Sequence, residues 1–145
     1  MTLILAIPLV MLGGTIGALA RYLVLTLVSA RTSLPGWCGI LVVNLLGSFL
    51  AGFFVNWLTL EQAGLRLGPL SPLNLEIERI EYGELLALTA VGFCGAFTTF
   101  SAFALDNVFL AIEDRRWFTA NILVSVGACF LAVLGGWTLG GVVAA

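Results

Sequence analysis

Gly92-Phe93-Cys94-Gly95-Ala96-Phe97-Thr98-Thr99-Phe100-Ser101-Ala102-Phe103 lies inside an apolar run, at about 84–110, that is long enough to cross a bilayer. Two glycines, two threonines and a serine make this the least helix-favouring part of the run. Thr98 and Thr99 are β-branched and follow Gly95, so the sequence predicts a local unwinding there. Non-helical backbone at membrane depth is tolerated only where it is buried in protein or lines a polar cavity. Phe100 and Phe103 stand three residues apart and project from one helix face. A phenyl edge carries positive partial charge, so it attracts a small anion without trapping it in an ion pair. The alternative is a phenylalanine-rich core stripe whose hydroxyls bond back to the preceding turn.

Working outward, the rest of the chain repeats the membrane signal. Of 145 residues, 61% are hydrophobic and only 10% are charged, whereas a soluble domain carries roughly 25% charged residues. Apolar stretches run at about 3–29, 37–60, 84–110 and 117–143, which gives an all-α membrane protein with four transmembrane helices, the third of them broken. Arg31 to Gly36 and Glu113 to Arg116 form short turns, while 61–83 reads as the one long aqueous loop. One domain, 1–145, results. No basic segment precedes the first apolar run, so no cleaved signal is expected. The chain has no lysine and no histidine and a net charge of −2, which argues against nucleic acid as a partner. Cys38, Cys94 and Cys129 are widely spaced in apolar surroundings and read as small buried hydrophobes rather than as a disulfide framework.

Arginines divide almost evenly between the two sides: Arg66 and Arg79 on one, and Arg31, Arg115 and Arg116 on the other. So small a bias lets a chain insert either way up. Two oppositely inserted copies form an inverted pair about an axis in the membrane plane. The alternative is a partner or insertion machine that imposes one orientation. Gly13/Gly17, Gly136/Gly140 and Ser48/Gly52 are small-residue pairs at the spacing that lets helices approach closely. Glycine is also simply frequent in membrane helices.

Polar residues inside spans are costly and mark functional positions. Arg21 either snorkels to the interface or caps carbonyls and raises the potential near an anion entrance. Asn44, beside Gly47 and Ser48, offers N–H donors without fixed charge, or else bonds one helix to another. Asn121, Ser125 and Cys129 recur at i, i+4 and i+8 as a polar stripe on the fourth span. Together with Asn44, Thr98 and Thr99, this stripe outlines a track of neutral donors, which without lysine or histidine suits a small anion that must be dehydrated yet released. Conduction needs binding strong enough to admit the ion and weak enough to release it.

Three stretches, Gly14-Thr-Ile-Gly-Ala-Leu-Ala-Arg-Tyr22, Val43-Asn-Leu-Leu-Gly-Ser-Phe49 and the 92–103 segment, resemble the signature of the small fluoride channels of the Fluc or CrcB family. The resemblance covers the whole four-helix layout. It implies an antiparallel, dual-topology homodimer in the cell inner membrane that exports fluoride passively and so lowers its toxicity. By resemblance, Asn44 lines the pore, Phe100 and Phe103 turn ring edges to fluoride, and Ser125 matches a hydroxyl on the polar track of the fourth helix; Thr99, a third-span hydroxyl, is a further candidate for the path. Gly95 and Thr98 match the positions whose backbone carbonyls hold a structural Na+ at the dimer two-fold, and Arg21 matches an arginine near the pore entrance. The sequence departs from the family at Asn121, where a tyrosine is expected, at Asp106, where a glutamate is common, and in its long 61–83 loop.

The rival is a small multidrug-type, proton-coupled transporter, which needs a carboxylate in the membrane. Asp106 is the one carboxylate that could serve. A non-transporting subunit of a larger complex would have no use for the break at Thr98. No enzyme is expected, because no clustered histidines, cysteines or carboxylates supply a nucleophile and base.

Overall fold

The computed structural model describes residues 3–66, 83–113 and 115–144, and all regular structure within them is helical. Helix α1 spans Leu3–Arg31 and α2 spans Gly36–Arg66. The third span runs Gly83–Glu113 in pieces. After a first helical turn at 83–86 come α3 (Ala87–Cys94), wound as a π-helix, a short α4 (Gly95–Phe97), and α5 (Phe100–Glu113). Helix α6 covers Arg115–Val143. Four helices are long and apolar enough to cross a membrane, so the chain is a multi-pass membrane protein. Large apolar side chains such as Leu19, Leu123 and Leu131 remain exposed on the chain's outside, as expected for surface that meets lipid.

One boundary differs from the sequence reading. Helix α2 continues through Glu61, Gln62, Ala63 and Leu65 to Arg66, residues assigned above to the loop. These are good helix formers, and a single interior glycine, Gly64, costs only about 1 kcal/mol against alanine. The remainder of the expected loop, 67–82, lies outside the described residues.

The helices pack as two pairs, and glycine decides where backbones meet. Helix α1 rests on α3 through Gly13 and Gly17, where an added Cβ would run into the carbonyl oxygens of Leu88 and Phe93. Helices α2 and α6 meet through Gly52, Gly136 and Gly140, whose added Cβ atoms would strike the carbonyls of Val133, Phe49 and Phe53. Approach this close maximises van der Waals contact, the main packing force available in lipid. The Asn56 Nδ2 donates to the Trp137 carbonyl at 2.7 Å and ties the far end of the α2–α6 pair. At the end bearing the short turns, Trp37 and Trp117 lie with ring centroids 6.0 Å apart. Paired tryptophans suit a membrane–water boundary. All three cysteines are free.

Candidate ion pathway

The helix breaks where the sequence predicts. Thr98 has φ −74° and ψ 159°, an extended conformation that ends α4, and α5 restarts two residues later. Both the Thr98 N–H and its hydroxyl donate to the Cys94 carbonyl, at 3.0 and 2.9 Å. Thr99 then caps α5: its Oγ1 accepts from the Ala102 N–H at 3.3 Å and lies 3.2 Å from the Ser101 hydroxyl. A threonine at this position satisfies an N–H that the helix start leaves without a partner.

The opened backbone is held from α2 and α1. Asn44 Nδ2 donates to the Thr99 carbonyl at 3.1 Å, and the Thr99 N–H donates to Asn44 Oδ1 at 2.8 Å. Gly47, one helical turn further, leaves room for the Thr98 methyl; an added Cβ would collide with it. From α1, Arg21 Nη1 reaches the Thr98 carbonyl at 3.4 Å. Of the two alternatives left open for Arg21, the structure shows the carbonyl contact. It does not place Arg21 among the residues lining the groove described next.

A groove of about 460 Å³ runs between α2, the break, α5 and α6. Asn44, Ser48, Thr98, Thr99, Phe100, Phe103, Ser125 and Cys129 line it, with Val126, Phe130 and Val133 as apolar walls. Five residues singled out from sequence for an ion path, Asn44, Thr99, Phe100, Phe103 and Ser125, therefore share one surface. Phe100 and Phe103 stand with ring centroids 5.9 Å apart and planes at 47°. Phe100 is 79% exposed in the single chain, which leaves the groove open along that flank.

Sequence reasoning missed Asn107. It is buried on α5, donates through Nδ2 to the Phe103 carbonyl at 2.8 Å, and accepts from Asn121 Nδ2 at 3.2 Å. Asn121 Oδ1 in turn accepts from the Ser125 hydroxyl at 3.0 Å. The signal that marks Asn44, a polar side chain inside an apolar span, is equally present at Asn107. Asp106 lies away from the groove, in a cavity of about 330 Å³ with Trp37, Glu113 and Trp117. Its Oδ2 is out of reach of solvent and has no hydrogen-bond partner among the described residues.

Among the described residues no cluster of histidine, cysteine and carboxylate side chains offers a metal site. Backbone carbonyls at the break are a different donor set. A hard monovalent or divalent cation prefers oxygen ligands of this kind. Gly95 carries no side chain, and the space around its Cα is open. The fit is in donor type, with one chain contributing only part of a shell.

Comparison with known proteins identifies the family. The family model described as "CrcB-like protein, Camphor Resistance (CrcB)" matches residues 8–137. A protein of Methanopyrus kandleri named "Fluoride-specific ion channel FluC" is 37% identical over 131 residues, covering 88% of this chain and 82% of that one. One of the same name from Legionella pneumophila strain Paris is 37% identical over 130 residues, 87% and 83% of the two chains. Another, from Koribacter versatilis, is 35% identical over 135 residues and covers 90% of each. With a family match over most of its length and relatives this similar across their own, the chain belongs to the CrcB family.

Proposed function

We propose that this protein is a fluoride-selective channel that lets fluoride leave the cell passively, and that it is not an enzyme. The observation that carries the reading is the single groove on which Asn44, Thr99, Phe100, Phe103 and Ser125 converge. Its polar groups are neutral, its aromatic side chains are the phenylalanines Phe100, Phe103 and Phe130, and no cationic side chain lines it. Such a surface compensates a dehydrated small anion weakly at several points, which permits both entry and release. The names of the relatives supply the identity of the anion, fluoride.

The open flank at Phe100 supports an antiparallel homodimer in the inner membrane, since a second, inverted copy would close the groove against lipid. The near-even arginine distribution supports dual topology. In that assembly Gly95 and Thr98 of each copy would turn backbone carbonyls to a structural Na+ on the two-fold. Hard cations usually take about six oxygens, so the four carbonyls of two copies would come nearer a full shell than the two of one copy. The Na+ would neutralise carbonyl dipoles at the break and hold the two copies in register. Arg21, already on the Thr98 carbonyl, would lend positive potential nearby.

The drug-transporter rival depends on Asp106, which lies outside the groove. Asp106→Asn protein in liposomes should still pass fluoride. Loss of all transport in that variant, with the protein folded, would favour the rival instead.

A further inference from the structure

Ser125 lines the groove, yet its hydroxyl proton is already engaged. The chain of bonds that engages it has a fixed direction. The Phe103 carbonyl can only accept, so Asn107 must turn its Nδ2 toward it, 2.8 Å away. That leaves Asn107 Oδ1 to face Asn121, which must answer with Nδ2 at 3.2 Å. Asn121 Oδ1 is then the atom facing Ser125 at 3.0 Å, and between two oxygens the serine must be the donor. One backbone carbonyl thus settles both amide orientations and the serine rotor, which geometry alone often leaves ambiguous. Asn107, Asn121 and Ser125 are all buried, so water does not readily replace any of these partners.

We infer that Asn107 and Asn121 are positioning residues that draw the Ser125 proton away from the groove, so that a passing anion must compete with Asn121 Oδ1 for it. This rests on the fluoride-channel reading and refines the role of one residue in it. Asn121 acts as an acceptor in this relay, where the sequence alone had it as a donor on the track. The consequence is a weaker anion site at Ser125, by about the worth of one neutral hydrogen bond, roughly 2- to 10-fold in affinity. Weak binding favours release, so the relay promotes throughput.

The test is the fluoride efflux rate from proteoliposomes, measured against fluoride concentration. Asn121→Ala removes the competing acceptor. Asn107→Leu frees the Asn121 amide to turn its nitrogen toward Ser125. Each variant should lower the half-saturating concentration by about 2- to 10-fold and lower the maximal rate. Ser125→Ala should raise the half-saturating concentration, and neither asparagine change should shift it further in that background. Asn121→Ala adds no bulk, so it carries the comparison should Asn107→Leu fail to fold. An unchanged or raised half-saturating concentration in the single variants overturns the relay. So does an equal shift in the Ser125→Ala background, which would report packing. A wild-type protein that passes no fluoride overturns the channel reading and the relay with it, whereas the first two results overturn the relay alone.

Discussion

Asn44 and Thr99 exchange two hydrogen bonds, one to each polar group of the threonine backbone: Nδ2 to the carbonyl at 3.1 Å and the N–H to Oδ1 at 2.8 Å. The amide thereby replaces the helical partners that the break removes, as membrane depth demands of any unwound backbone. Asn44→Asp keeps the acceptor but sets a carboxylate against the Thr99 carbonyl and puts a charge on an anion path. Fluoride flux should fall about 100-fold or more, in line with the roughly 3 kcal/mol that a charge costs at mid-membrane. Asn44→Ala leaves two backbone groups unpaired and should lower stability by about 2–4 kcal/mol in denaturant unfolding.

Phe100 separates function from folding. It is 79% exposed in the single chain, so Phe100→Ile should change the chain's own stability by about 0.5 kcal/mol or less. Flux should fall roughly fivefold, because an aromatic edge contributes on the order of 1 kcal/mol and isoleucine has none. Thermal unfolding and efflux, measured on the same preparation, check both halves.

Glycine positions give a matched pair. Gly17→Ala and Gly136→Ala force a methyl onto the carbonyls of Phe93 and Phe49, which should cost about 1–3 kcal/mol by overpacking. Gly127 has open space around its Cα, so Gly127→Ala should be neutral or stabilise by up to about 1 kcal/mol through helix propensity. Equilibrium unfolding in detergent reads the contrast directly.

How far the sequence reveals all this depends on which force sets each feature. The four spans follow from apolar length, which the bilayer dictates residue by residue. The break at Thr98 was legible because glycine, β-branching and hydroxyls coincide there, and the glycine pairs because close approach admits nothing larger. The reach of α2 to Arg66 was not, because helix propensity carried it past the last apolar residue. Nor was the π-helical winding of Ala87–Cys94, which has no compositional mark. Asn107 itself was legible as a polar residue inside a span, but its bond to Asn121 was not, because the two stand on different helices that only the fold brings together.

The proposed sodium site makes dimerisation depend on the cation. Exchanging sodium for N-methylglucamine in detergent should shift the purified protein from dimer toward monomer, read as a change in mass by analytical ultracentrifugation. Gly95 and Thr98 contribute backbone oxygens, so side-chain changes that leave the break intact should preserve the effect. An equal dimer fraction in both solutions would remove the Na+ from the assembly.

The most direct measurement is fluoride efflux from liposomes holding the pure wild-type protein, followed with a fluoride electrode and compared with chloride efflux from matched vesicles. The protein-loaded vesicles should release fluoride far faster than empty ones and chloride scarcely faster. Fluoride release no faster than from empty vesicles, or equal release of both anions, would contradict a fluoride-selective channel.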